Sequence, residues 1–210
     1  MPLIENTLTH MSLFSGVGGL DIAAEWAGMR TVGFCEWAEY PRSILAARWP
    51  GVPAWKDIRT LTGESFREKT GLPTVDVLFG GFPCQRFSAA GQRKGVEDDR
   101  YLWPEMLRVI KGLRPAWIIG ENVAGIVSMA ESVAGFTVES RNLARNPDAD
   151  YYHSVLSRQE NMLLPKILED LEDAGYAVQT FVIPACGVDA PHERSRTAIV
   201  AHADSLYGKP

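Results

Sequence analysis

The apolar positions of this chain fall into short compact runs separated by longer stretches of helical spacing. Met11–Ser15, Thr31–Cys35, Thr74–Phe79, Ala116–Ile119, Ala177–Ile183 and Thr197–Ala201 are short apolar runs that predict strands. Leu20–Ala27 is built of helix formers and stops at Gly28, and Ser43–Trp49 is closed by Pro50-Gly51. Tyr101–Leu113 places Leu102, Met106, Val109, Ile110 and Leu113 on one helical face. Leu163–Ala174 repeats that spacing through Leu164, Ile167, Leu168 and Leu171 before Gly175. Strands alternating with helices predict an α/β fold, a mostly parallel sheet with helices on both faces. Ligands of such sheets gather at the carboxyl ends of the strands. The Gly16–Gly19 turn, Glu36, Asp57, the Gly80–Ser88 loop and Glu121 each follow a predicted strand. Ser128–Asn161 breaks the alternation with a polar stretch around Asn146-Pro147-Asp148, and is read as a loop insertion. Its Tyr151-Tyr152-His153 cluster is better explained by local packing than by a partner.

Composition narrows the class. At 210 residues and 46% hydrophobic content, residues 1–210 fit a single domain with a sizeable core. No apolar run approaches the roughly 20 residues that span a bilayer. Met1–His10 lacks a basic stretch followed by an apolar one, so no secretion signal and a cytoplasmic location are expected. The three cysteines are far apart and lack zinc-site spacing, so no metal site is expected. Cys35 and Cys186 are expected to be buried as small hydrophobes. A net charge of −5 does not advertise the basic face of a nucleic-acid binder.

Two stretches carry candidate chemistry. After the first strand, Gly16-x-Gly18-Gly19 lets the backbone approach a ligand, but lacks the spacing of dinucleotide-binding turns. Glu36, at the end of the second strand, stands where an acidic residue meets ribose hydroxyls. Trp37 is equally a purine-stacking or a core aromatic, and Asp57 either an adenine partner or a turn cap. Together they point to a nucleoside cofactor without a diphosphate clamp, which S-adenosylmethionine fits. In Gly80-Gly81-Phe82-Pro83-Cys84-Gln85, the glycines free the backbone and Pro83 restrains it before the thiol. A cysteine on such a loop is poorly placed for silent packing, and the neighbouring Arg86 favours its thiolate.

At these residues the chain resembles a known family. Leu13-Phe14-Ser15-Gly16-Val17-Gly18-Gly19 is similar to the first motif of the cytosine-5 DNA methyltransferases, bacterial and phage type. Gly81-Phe82-Pro83-Cys84-Gln85 with Phe87-Ser88 resembles their nucleophile loop, Glu121-Asn122-Val123 their acidic motif, and His192-Glu193-Arg194-Ser195-Arg196 their basic motif. The resemblance runs from about Met11 to Ala201, apart from the insertion. It implies a Rossmann-like S-adenosylmethionine-dependent methyltransferase fold acting on double-stranded DNA in a bacterial or phage-infected cell. It implies that Cys84 adds to C6 of a flipped-out cytosine, that Glu121 meets N3 and the exocyclic amine, that Arg194 anchors O2, and that Arg196 orders the loop. The cofactor pocket it implies uses Phe14, Gly16, Val17, Gly18, Gly19, Glu36, Trp37, Asp57, Ile58, Pro83 and Leu102, and the loop from about Arg86 to Arg100 closes over the base.

The chain departs from the family at Arg86, at Glu193 and in the insertion. It stops at Pro210, before the target-recognition domain and last motif of family members. Three readings follow: a DNA cytosine-5 methyltransferase, a truncated or split cofactor-binding module needing a second polypeptide, or an RNA cytosine-5 methyltransferase. The glycine spacing disfavours a plain oxidoreductase.

Overall fold

The computed structural model describes residues 7–83, 101–128 and 163–203. They form one seven-stranded sheet of order β3-β2-β1-β4-β5-β7-β6. Its strands are β1 (Thr9–Leu13), β2 (Arg30–Cys35), β3 (Ala54–Trp55), β4 (Val77–Gly80), β5 (Trp117–Val123), β6 (Tyr176–Ile183) and β7 (Arg196–Ala203). β1 to β5 run parallel, with β1 at the centre between β2 and β4. β7 runs antiparallel to both β5 and β6. The expected mostly parallel sheet is therefore present, with the two last strands forming a hairpin-like edge.

Period-two alternation decides which face each strand residue serves. Met11, Leu13, Leu78, Ile118 and Ile199 point into the larger core with Phe66, Met106, Ile110 and Ile167. Those partners come from α3 (Gly63–Thr70), α4 (Trp103–Leu113) and α5 (Leu163–Asp173). On the opposite face Val77 and Phe79 pack on Ala24 of α1 (Gly19–Trp26). Phe34 packs on Leu45 of α2 (Glu39–Arg48) and on Trp49. Helices thus cover both faces.

Several element boundaries differ from the sequence expectation. α2 begins at Glu39 rather than Ser43, because Pro41 sits in the first turn, where a missing N–H costs nothing. α3 is an unforeseen helix. It buries only Phe66, so it has no apolar stripe to read, and it is started by a capping box. Ser65 N–H donates to Thr62 Oγ1 at 3.1 Å, and Thr62 N–H to Ser65 Oγ at 2.9 Å. β5 extends past Ile119 to Val123 because β7 pairs with it as far as Arg196, so Glu121 lies within the strand rather than after it. Cys186 is exposed, against the burial expected for it, because it sits on a single 3-10 turn (Ala185–Val188) outside the packed layers. Cys35 is buried at the end of β2. No described helix is long and apolar enough to cross a membrane, and no cluster of metal-ligating side chains occurs among the described residues. The insertion, Tyr151-Tyr152-His153 and the loop from Cys84 to Arg100, with Arg86, lie outside the described residues.

Candidate cofactor pocket and catalytic corner

Parallel pairing of β1 to β4 brings the residues after each strand to one edge of the sheet. After β1 the chain turns sharply. Gly18 has φ 89°, and a Cβ there would stand 2.6 Å from the Trp49 ring, so only glycine fits between turn and α2. Phe14, a bulky residue, also holds a left-handed φ of 56°. After β2, Glu36 accepts Gly16 N–H on one carboxylate oxygen and Ala38 N–H on the other, both at 2.8 Å. The carboxylate is thereby fixed over the turn with lone pairs to spare for hydroxyl donors. Trp37 is 62% exposed, which excludes the core-aromatic alternative. Its ring lies 5.6 Å from Lys56 Nζ.

After β3, Asp57 caps the 3-10 turn Ile58–Thr60 by accepting Arg59 N–H at 3.0 Å. The Arg59 side chain also donates to both Asp57 oxygens, at 3.0 and 3.1 Å, and this hydrogen bonding holds the Asp57 carboxyl below its ordinary range. Turn capping and pocket lining therefore coexist at Asp57.

These residues enclose a cavity of about 420 Å³ lined by Phe14, Cys35, Glu36, Trp37, Lys56, Asp57, Ile58, Arg59, Gly81, Pro83 and Leu102. That size suits a nucleoside-sized ligand. Val17, Gly16, Gly18 and Gly19 do not line it; Gly16 acts through Glu36, and Gly18 through Trp49. Cys35, Lys56, Arg59 and Gly81 line the cavity and were not anticipated. Their signal was adjacency to Glu36, Asp57 and the Cys84 loop. Burial pushes the Cys35 thiol up to about 12, so it is a neutral wall and no nucleophile.

A second group of side chains meets at the ends of β4 and β5. Phe82 is buried, its ring 5.2 Å from that of Trp103. Asn122 Nδ2 donates to the Phe82 carbonyl at 3.0 Å. These contacts anchor the chain just before Pro83, whose next residue, Cys84, lies outside the described residues. Glu121 pairs with Arg196 Nε at 2.8 Å. A Cβ on Gly81 would come within 3.3 Å of Glu121 Oε2, so glycine there lets the carboxylate lie against the loop. Glu121, Gly81 and Arg196 thus converge. Arg194 is exposed, with φ 29°, and the partner of Glu121 is Arg196.

Beneath the turn, on the α1 face of the sheet, lies a buried polar pair. His10 Nδ1 is 3.8 Å from Asp21 Oδ1, and both side chains are inaccessible to solvent.

Comparison with known proteins places this arrangement. The family model for C-5 cytosine-specific DNA methylases matches residues 8–139 and 153–208. The type II methyltransferase M.PspPI of Psychrobacter sp. is 33% identical over 202 residues, covering 95% of this chain and 40% of that protein. A protein of Escherichia phage P1 named DNA N-6-adenine-methyltransferase is 36% identical over 138 residues, covering 61% of this chain and 18% of that protein. This chain therefore spans well under half the length of these curated relatives. A solved structure of a candidate DNA modification methyltransferase encoded within an E. coli prophage superposes with TM-score 0.68 at 23% identity, covering 95% of this chain and 48% of that one. That likeness shows a shared Rossmann-like methyltransferase fold.

Proposed function

The chain belongs to the C-5 cytosine-specific DNA methylase family, and from that premise we propose that it methylates C5 of cytosine in double-stranded DNA with S-adenosylmethionine as donor. The observation that carries the reading is the cavity. One aromatic face (Trp37), two carboxylates (Glu36 and Asp57) and apolar walls (Phe14, Ile58, Leu102, Pro83) share a space that opens beside the segment leading to Cys84. These groups fit the cofactor: Glu36 can accept ribose hydroxyls, Trp37 can stack on adenine, and Asp57 can accept its amino group. When bound there, S-adenosylmethionine would supply an electrophilic methyl on sulfonium.

The protein's own residues prepare the base. Cytosine C5 is a poor nucleophile until a nucleophile adds at C6, and Cys84 is placed by sequence to form that bond. Electron density pushed towards N3 is met by Glu121, against which the Gly81 backbone lies. Arg196 holds Glu121 in that position. Exposed Arg194, one residue from Ser195, is free to reach towards the base O2. Once C5 has taken the methyl group, release of the C5 proton to solvent water and breaking of the C6–Sγ bond restore the aromatic ring and the Cys84 thiolate. A base inside a duplex cannot meet these groups, so it must be flipped out.

The phage P1 relative's adenine-directed name does not transfer on a match to 18% of its length. The experiment is incubation of the chain with methyl-tritiated S-adenosylmethionine and mixed-sequence duplex DNA, digestion to nucleosides and chromatography, beside Cys84→Ser. Label in 5-methylcytosine from wild type and none from the variant supports the proposal. Label in N6-methyladenine refutes the cytosine assignment. No label with DNA, but retained cofactor binding, supports instead a split module completed by a second polypeptide. The same assay on transfer RNA tests the RNA reading.

A further inference from the structure

We propose that Arg108, on α4, is a positioning residue for the nucleoside end of the pocket, acting through the turn that carries Asp57; the inference rests on the cofactor reading above. Arg108 does not line the cavity. Its guanidinium spans the gap between α4 and the 3-10 turn after β3. Nη2 donates to the Ile58 carbonyl at 2.7 Å and Nη1 to the Leu61 carbonyl at 2.9 Å. Nε is held by Glu105 Oε2 one helical turn back, at 2.7 Å. Each of the three guanidinium nitrogens thus donates to one protein acceptor, and the Glu105 pair helps fix the plane of the fork.

The other bonds of the turn it grips are local: Arg59 N–H and side chain donate to the Asp57 carboxylate, Thr60 Oγ1 to the Asp57 carbonyl, and Ser65 Oγ to the Thr60 carbonyl. Ile58 and Leu61 anchor it by burial, and its internal bonds run from Thr60 and Leu61 N–H to the Asp57 and Ile58 carbonyls. No sheet pairing is present there, because β3 is only two residues long and ends at Trp55. The tie from this turn, whose Asp57 and Ile58 line the cavity, to the rest of the fold thus includes a side chain from a helix about fifty positions away in sequence, bonded at Ile58 and Leu61. Two carbonyls three residues apart need a planar two-pronged donor; a lysine ammonium cannot address both with the same geometry. The same helix begins next to Leu102 in the cavity wall, and its Trp103 packs on Phe82. Arg108 thus ties the nucleoside end of the pocket to the element that supports the catalytic corner.

The test reads discrimination rather than stability. S-adenosylhomocysteine and S-inosylhomocysteine differ at the purine's 6-position, an amino donor in the first and a carbonyl acceptor in the second, whose N1 carries a proton in consequence. Wild type should favour the adenosyl compound by about tenfold, the equivalent of one hydrogen bond lost at the Asp57 carboxylate. Titrating both ligands by calorimetry into Arg108→Met and Arg108→Lys should show that ratio falling to about two or less, with both affinities weakened. Asp57→Asn should lower the ratio likewise, and adding Arg108→Met to it should lower the ratio no further. If Arg108→Met does not fold, Arg108→Lys, which keeps the stem and charge, decides alone. A variant that keeps the full wild-type ratio, even with a lower melting temperature, overturns the proposal by reducing Arg108 to a structural brace. Equal binding of the two ligands by wild type also overturns it. Failure of wild type to bind either ligand overturns the cofactor reading itself, and the proposal with it.

Discussion

The buried pair beneath the glycine turn gives a prediction whose sign is not obvious from either residue alone. Among the described residues, His10 Nε2 and both Asp21 oxygens are buried without a hydrogen-bond partner. Burial raises the Asp21 carboxyl from 3.8 to about 6; the nearby Ser12 hydroxyl and the Asp21 backbone N–H offset part of this, and the Glu25 charge adds to it. Burial lowers His10 from 6.5 to about 4. A carboxyl with a raised folded pKa contributes stability that is present below its unfolded value and lost as pH rises through 4 to 6, about 3 kcal/mol in all. A histidine with a lowered folded pKa costs stability as pH falls from 6.5 to 4, by a similar ~3 kcal/mol. Between about pH 4 and 6 the folded pair carries its proton on Asp21, and the unfolded chain carries it on His10. The proton count is equal, so the two slopes cancel. Asp21→Asn should unmask one of them. Relative to wild type, the variant should gain about 3 kcal/mol between pH 4 and pH 7, at roughly 1.4 kcal/mol per pH unit. His10→Gln should show the opposite trend, gaining as pH falls. Any pH-independent cost of the new amide shifts each curve without tilting it, and Glu25, which also raises Asp21, is common to all three proteins. Urea unfolding at half-unit steps of pH measures the difference curves. Curves parallel to wild type, or tilted the other way, would refute the assignment of a buried neutral pair.

Further outcomes follow from contacts already described. Gly18→Ala should cost about 1–3 kcal/mol in thermal or urea unfolding, because it adds a Cβ 2.6 Å from Trp49 at a left-handed φ. Gly19→Ala, with nothing within 4 Å of the new Cβ, should unfold like wild type; equal losses for both would contradict the packing account. Trp37→Ala should weaken S-adenosylhomocysteine binding by roughly 1–3 kcal/mol with little change in melting temperature, since the ring is mostly exposed. A loss of stability without loss of binding would return Trp37 to a packing role. Arg196→Met should lower kcat on DNA by on the order of 10²-fold, and Glu121→Gln should make that second change nearly silent if the two act as a unit.

What could be read from the chain follows a physical rule. Periodicity locates elements whose burial is set by their own residues, so α4 and α5, each with a continuous apolar face, are legible. Positions just after parallel strands are legible for the same reason, which is why Glu36, Trp37 and Asp57 could be named before the cavity was seen, whereas Phe14, Ile58, Pro83 and Leu102 are legible only through the family resemblance. Features decided by a distant partner are not. α3 buries one residue and is announced only by the Thr62–Ser65 cap. The end of β5, and hence the setting of Glu121, depends on how far β7 pairs with it. The pairing of Arg196 with Glu121 depends on Arg196 entering that strand as its first residue, opposite Val123.

The same rule separates two kinds of site residue in this fold. Cavity-lining groups such as Glu36 stand just past a strand end, where parallel pairing brings them to one edge of the sheet. Groups that set the orientation of those residues act across elements: Arg108 on the Ile58 and Leu61 carbonyls, Asn122 on the Phe82 carbonyl, Arg196 on Glu121. Arg108 and Asn122 span from a regular element to an irregular segment, and Arg196 joins two neighbouring strands. Charge-assisted or buried bonds of this kind stabilise only modestly in net terms, yet they determine where a carboxylate or a loop comes to rest. Substitutions at such donors should therefore leave the sheet intact while degrading the geometry of the residues they hold.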